Sequence, residues 1–471
     1  MKKLLAIILI AVMLTLAFAS CTGPQGPQGE KGEQGAQGEK GEAGAQDEAG
    51  RSILKAEIID GELWVTYSDA PDKPVNVGVV GGATEDYQNP QGLDFYLLPD
   101  NTYGVMAGKT QYLESIVIPE KFNGRNVSTI LDEAFKGSEN LKSITIPDSV
   151  TNIGDSAFEK CTELTSITIP SGVTNIGTYV FYDSNAVTSI TVAEGNTVYR
   201  SEGNCLIKRS TNTIILGCKN SVIPNSVTSI GKDAFYACEG LINITIPDNV
   251  ISIGEDAFAY TGYYNNEANW ENDVLYIGNR LIAARNTTEW AECIIKDGTK
   301  AIADAAFSWC EGFTSITIPD SVTIIGNWAF ALCDSLRSVT IGSSVTSIGH
   351  NAFHSCGGLT SITIPDNVTS IGDDAFSWCN ELTSVTIGNG VTSIGSDAFD
   401  ACIALTSITI GNRVTSIGDE AFFLCTEIAS ITFNGTKAQW SAISKGERWN
   451  YSTGKYTVHC TDGDILKADD N

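Results

Sequence analysis

Histidine is almost missing. Only three occur in 471 residues, at positions 350, 354 and 459, so histidine-dependent acid–base chemistry has few candidates. His350 and His354, with Cys356 nearby, are the one group whose spacing approaches metal-ligand geometry on a helix. Position 350 is a variable turn site and Cys356 belongs to a repeating column, so no metal and no cofactor is expected. Walker, nucleophile-elbow and His-Glu-x-x-His patterns are absent too, and the chain is not expected to be an enzyme. Positive charge is scarce: 29 Lys and Arg face 56 Asp and Glu, a net charge of −27. That balance argues against nucleic acid as a partner and against an electrostatic membrane patch. Apolar runs are limited to residues 4–16, shorter than the roughly 20 residues a membrane-spanning helix needs.

What the chain has in quantity is repetition. Phenylalanines stand at 135, 158, 181, 235, 258, 307, 330, 353, 376, 399 and 422, spaced by 23 except for one gap of 54 and one of 49. A fixed period in the twenties marks a solenoid. In the unit that begins at Leu382, the apolar positions Leu382, Val385, Ile387, Val391, Ile394, Phe399 and Cys402 follow neither a helical period nor strict alternation. One such unit cannot close a core, but stacked units lay equivalent side chains on one another and bury a continuous ladder. The Leu-x-x-Ile-x-Ile half reads as a strand pairing in parallel with the next coil, its Thr and Ser facing solvent. The segment Ile371-Gly-Asp373-Asp374-Ala-Phe376 reads as a turn into a short helix or 3-10 piece, where acids favour the N-terminal dipole.

The recurring unit Leu-x-x-Ile-x-Ile-Pro-x-x-Val-x-x-Ile-Gly-x-x-Ala-Phe-x-x-Cys resembles the BspA-type leucine-rich repeats of bacterial surface proteins. Thr145-Ile-Pro, Thr317-Ile-Pro and Thr363-Ile-Pro carry the family's strand end, and the match spans roughly residues 93–463. The resemblance implies a leucine-rich-repeat solenoid of 23-residue coils, each a β-strand plus a short helix or 3-10 segment. It also implies adhesion, the binding of matrix proteins or of other cells.

Ahead of the repeats the chain is modular. Residues 1–20 read as a signal peptide: Lys2 and Lys3, the apolar run, then small residues before Cys21. Phe18-Ala-Ser20-Cys21 resembles a bacterial lipobox, which would place a lipid anchor on Cys21; Ala17-Phe18-Ala19 could instead serve an ordinary signal peptidase and release a secreted protein. In residues 21–50, glycines at 23, 26, 29, 32, 35, 38, 41 and 44 keep a strict period of three. This is collagen arithmetic, since only Gly fits where three chains meet at an axis, and it predicts a homotrimeric stalk, with a flexible linker as the alternative. Residues 51–82 read as a β-hairpin module turning at Asp69-Ala-Pro71. Residues 83–126 supply a linker and N-terminal cap, 127–433 the solenoid, and 434–471 a C-terminal cap and acidic tail. The long gaps, near 188–226 and 260–300, read as aberrant coils with bulging loops.

Of 13 cysteines, eight (161, 238, 310, 333, 356, 379, 402 and 425) lie three residues after the repeat phenylalanine. These are expected to be buried free thiols, and Cys205 with Cys218 is the more plausible disulfide. Paired acids such as Asp373-Asp374, Asp419-Glu420 and Glu255-Asp256 recur in coil after coil, which makes them architecture rather than a catalytic pair. Candidate ligand contacts are the residues that break the repeat: Trp309 and Trp378 in one column, and Tyr260, Tyr263, Tyr264, Trp270 and Tyr276 in the second insert. The outward Thr column, through Thr245 and Thr317, would lie beside that insert. Exposed aromatics suit peptide anchoring or sugar stacking; the competing reading folds them down to seal an irregular coil. The expected partner is an extracellular protein or glycan, with a passive envelope component as the alternative and a glycan-active enzyme behind both.

Overall fold

The structure is a computed structural model. It describes the backbone of residues 53–59, 62–67 and 75–79, and residues 92–286 and 291–466 in full. The expected signal peptide, the expected lipid-anchor residue Cys21 and the expected collagen-like stalk of the Gly-x-x tract lie outside the described residues. The chain divides into two units, residues 1–83 and 84–471.

In the first unit, three strands, Ile53–Ile59, Glu62–Tyr67 and Val75–Val79, pair antiparallel in chain order. The stretch read as a hairpin thus holds one strand more. Ile59 pairs with Glu62, and the Asp60-Gly61 step between them in sequence is a two-residue hairpin signal.

The second unit is a solenoid whose coils stack in parallel. In a typical coil, Ser384–Ile387 pairs in parallel with Ser361–Ile364 before it and Ser407–Ile410 after it. Val385 and Ile387 point into the core while Thr386 faces out. A second, two-residue strand, Ser393–Ile394, makes another parallel ladder. Between the ladders the chain bends where only glycine fits: a Cβ on Gly395 would lie 2.5 Å from the carbonyl carbon of Gly372. The phenylalanines stack along the axis, with ring centroids 5.0 to 5.3 Å apart and planes within 19° from Phe307 to Phe422. Each is buried, a contribution of about 1.5–3 kcal/mol per coil.

The cysteine column has a specific reason. Six of its eight thiols donate to the carbonyl of the phenylalanine one coil earlier, among them Cys356 to Phe330 at 3.1 Å, Cys379 to Phe353 at 3.3 Å and Cys402 to Phe376 at 3.2 Å. Ser184 occupies the same position and its hydroxyl donates to Phe158 at 2.6 Å, so the column demands a small donor rather than sulfur itself. Threonines staple the coils outside, as when Thr383 Oγ1 donates to the Thr360 carbonyl at 2.9 Å and Thr406 Oγ1 to Thr383 at 3.0 Å.

The two long gaps are not bulging coils. Each holds a three-strand antiparallel meander: Tyr199–Glu202, Cys205–Lys208 and Thr213–Leu216 in the first, Trp270–Glu271, Val274–Ile277 and Arg280–Ala284 in the second. The last strand of each joins the short-strand ladder in parallel. Gly203-Asn204 and Asn272-Asp273 take left-handed φ at the connections, the conformation that two-residue hairpin turns require. The first insert also divides the core in two: one cluster runs from Leu93 to Cys218, the other from Cys205 to Val458. At the C-terminal end the helix Lys437–Ala442 carries a capping box made by Thr436 and Gln439 and buries Trp440, and the hairpin of Thr457–Cys460 with Gly463–Leu466 ends the ladder.

Cys205 and Cys218 are both free, their sulfurs facing the carbonyls of Gly203 and Asn204 instead of each other. Of the twelve described cysteines ten are buried, and burial pushes the thiols of Cys161, Cys205 and Cys310 up to about 12. Cys238 is pushed up to about 12 in the same way; thiolate is the reactive form, so a thiol reagent should label the native protein at few positions, chiefly Cys460, and all twelve after unfolding in guanidinium. A non-reduced mass two units low, mapped to Cys205–Cys218, would contradict this.

Candidate binding surface

The segment expected to turn into a short helix or 3-10 piece is a stack of turns. Around Phe376, the amides of Asp374, Phe376 and Trp378 donate along the solenoid axis to the carbonyls of Ser396, Ala398 and Asp400 in the next coil. The amides of Ser377 and Cys379 donate three residues back within the coil. Such alternation needs left-handed residues at regular intervals, and they occur two before and two after every repeat phenylalanine: Asp374 at φ 54° and Trp378 at φ 62° in this coil. The acid at this bend is not answering a helix dipole. Asp373 Oδ1 accepts from the amide of Ser396 at 2.8 Å, and Asp304 and Asp155 do the same for Asn327 and Thr178.

This corner carries most of the exposed aromatics among the described residues, Tyr96 and Tyr112 near the N-terminal end aside. Most of its left-handed positions are filled by Gly, Asn, Asp, Ser or Ala, but Tyr179, Tyr260, Trp309, Trp328 and Trp378 take them as well. A bulky side chain there costs of order 1–3 kcal/mol, and burial does not repay it: Trp309 is 61% exposed, Trp328 42% and Trp378 38%. Neither backbone preference nor core packing accounts for these rings. Toward the inserts the aromatics run together, Tyr182, Tyr179, Tyr236, Tyr260, Tyr264 and Trp270 forming a chain of ring contacts 5.0 to 6.3 Å apart.

The model of the BspA type leucine-rich repeat region, in six-copy form, matches residues 107–221, 215–291, 283–358 and 346–445. The chain belongs to the BspA-type leucine-rich-repeat family. Among solved structures, a leucine rich cell surface protein from Faecalibacterium prausnitzii A2-165 is 27% identical, covering 77% of this chain and 98% of its own, with a TM-score of 0.34. A leucine-rich repeat protein from Bacteroides ovatus ATCC 8483 is 21% identical over 78% and 98%, TM-score 0.33. The pneumococcal vaccine antigen PcpA is 15% identical over 87% and 99%, TM-score 0.30. No curated protein matches the chain.

On this BspA-type solenoid the residues singled out from sequence separate into groups. Tyr276 is buried, and the half-buried Tyr263 donates its hydroxyl to the Tyr276 carbonyl at 2.9 Å, so these two help to seal the insert. Tyr260 is exposed; Tyr264 and Trp270 are half-buried, with the indole donating to the Tyr264 carbonyl at 2.7 Å. Trp309 and Trp378 do share a column, two coils standing between them. Thr317 lies on the strand face, where Ile294 is its neighbour in the preceding coil, whereas Thr245 is exposed and lies in no strand. Sequence reasoning missed Tyr179, Tyr182 and Tyr236, whose distance along the chain hides their contact across the first insert. Cys356 points inward, His354 packs its ring on Trp328, and His350 Nδ1 accepts from the Asp373 amide. Among the described residues no group of three or more His, Cys, Asp or Glu side chains is placed to hold a metal ion.

Acids flank the aromatics. Burial, then repulsion from Asp397 and Asp373, pushes Asp374 up to about 6; burial, then Asp397, Asp374 and Glu420, does the same to Asp400. No Lys or Arg lies within ion-pair distance of Asp374, Asp397 or Asp400 among the described residues. Because the folded values exceed the ordinary carboxylate value of 3.8, the folded state binds protons that the unfolded chain releases, between pH values of about 4 and 6. These two groups therefore favour folding at the acid end of that window and oppose it above. In urea melts, Asp374→Asn/Asp400→Asn should gain stability relative to the parent as pH rises from about 4 to 7. Parallel stability curves for the two proteins would refute the assignment.

If the corner indoles serve contact rather than folding, Trp309→Gly should leave the melting temperature unchanged or raise stability by up to about 1 kcal/mol, since glycine adopts left-handed φ freely. A clear loss of stability would make Trp309 a packing residue.

Proposed function

We propose that this protein is a cell-surface binding module in which the BspA-type solenoid presents its turn corner to an extracellular macromolecule. The observation that carries the reading is the placement of Trp309, Trp328 and Trp378, three exposed indoles held on one edge in backbone conformations that disfavour them. Interfaces draw most of their binding energy from a few Trp, Tyr and Arg side chains, and a solenoid offers such residues on a long, rigid edge. The signal peptide and the lipobox-like Ser20-Cys21 step support export and a lipid anchor at Cys21. The Gly-x-x tract supports a stalk, trimeric if its collagen-like period is used, that holds the solenoid away from the membrane.

Capture by an array of extracellular proteins and glycans tests the reading, with the processed chain compared to Trp309→Ala/Trp328→Ala/Trp378→Ala. Ligands should be lost from the triple variant by the equivalent of about 2 kcal/mol or more while its unfolding curve is retained. Capture that survives the three substitutions would place the contact on another face.

A further inference from the structure

The aromatic corner already holds two arginines, and both are held in one manner. In the second insert the amide of Ala284 donates to the Ala306 carbonyl, so Ala284 stands where other coils have phenylalanine and Arg285 follows on the corner. The Arg285 guanidinium lies 4.1 Å from the centre of the Trp270 ring and makes a two-pronged contact with Glu267, at 2.7 and 2.8 Å. At the far end of the repeats the amide of Glu420 donates to the Glu447 carbonyl, which puts Arg448 in the left-handed corner position, φ 52°. Its guanidinium sits 4.7 Å from Phe423 and 4.8 Å from Tyr451 and pairs with Glu420 at 2.8 Å. A planar cation on a ring face with its edge against a carboxylate satisfies both attractions of a guanidinium at once.

Between these two occupied ends the same ingredients stand without a cation. Trp309, Trp328 and Trp378 are exposed, and Asp374, Asp397 and Asp400 lie in the same corner columns. Among the described residues no Lys or Arg packs on those three indoles or pairs with those three acids. Asp400 also keeps one buried carboxylate oxygen with no hydrogen-bond partner, and in the preceding coil Ser377, 1% exposed, has a hydroxyl in the same condition. Resting on the binding role argued above, we infer that the corner from Trp309 to Asp400 is a docking surface for an arginine-bearing, basic polypeptide segment, whose guanidinium groups would repeat the arrangement of Arg285 and Arg448. The charge of the chain, −27, complements such a partner and would speed its approach. Arginine is specified over lysine because an ammonium group can neither stack as a plane nor engage a carboxylate two-pronged.

The test titrates the processed full chain with three synthetic peptides of equal length: oligo-arginine, oligo-lysine and oligo-citrulline, which keeps the shape of arginine without its charge. Arginine should bind about tenfold tighter than lysine, and citrulline should not bind measurably. Trp309→Ala/Trp378→Ala should lower arginine affinity about tenfold, and Asp374→Asn/Asp400→Asn should lower it independently, neither with a loss of stability. Equal affinity for arginine and lysine, insensitive to the tryptophan pair and abolished by salt, would reduce the effect to bulk charge and overturn the inference. If the triple tryptophan variant loses its array ligand while oligo-arginine fails to bind, the corner remains the binding surface and the basic partner is wrong. If neither depends on the indoles, both readings fall.

Discussion

Every coil of this solenoid completes its hydrogen bonding in the next one. The long strand, the short strand and the turn corner all send amides along the axis, and buried backbone groups left without partners would be costly. The two ends and the two inserts therefore face one requirement, to offer a matching row of donors or acceptors to a neighbouring coil. The meanders meet it by running their last strands, Thr213–Leu216 and Arg280–Ala284, in parallel into the short-strand ladder. The C-terminal cap meets it with the amides and carbonyls around Trp449, which closes the phenylalanine stack edge-on at 6.2 Å. At the N-terminal end the match is imperfect, and Ser138, standing in the cysteine column, keeps a buried hydroxyl with no partner.

That requirement explains which positions vary. Gly395 is confined by the approach of the preceding coil, Asp373 by the amide it receives, Cys402 by the carbonyl its thiol faces. Outward corner positions carry no such duty, and there the repeat admits Asp, Ser, Ala, Trp and Tyr in turn. Diversity of chemistry is thereby concentrated on one edge of an otherwise uniform rod, the edge on which Arg285 and Arg448 are clamped.

The period, the ladder of Phe, Ile and Cys, and the outward Thr were legible because stacking imposes them on every coil. The corner was misread as helical. Ala-Phe preceded by paired acids looks like a helix start locally, while the actual partners of those amides lie in another coil. Left-handed φ at Trp378 has no signal in its own residue type, and its column, which holds Gly137, Ser355 and Ala401 but also Lys160 and Leu332, points to it only weakly. The insert hairpins could have been read from Gly203-Asn204 and Asn272-Asp273, had those steps been weighed as turns. For the candidate site, Trp309 and Trp378 were recognisable as breaks in the repeat, whereas burial of Tyr276, the clustering of Tyr179 with Tyr236 and the guanidinium clamps depend on packing between distant segments.

The first insert leaves the solenoid with two apolar cores in series. Tyr179 on one side and Tyr236 on the other touch across it at 5.3 Å, and Asn185 and Glu239 bond over the same junction. A rod built this way has a weakest cross-section at a defined place. Under a pull between the two ends of the solenoid, strain would collect at this seam, and the C-terminal core could stay folded after the first had given way.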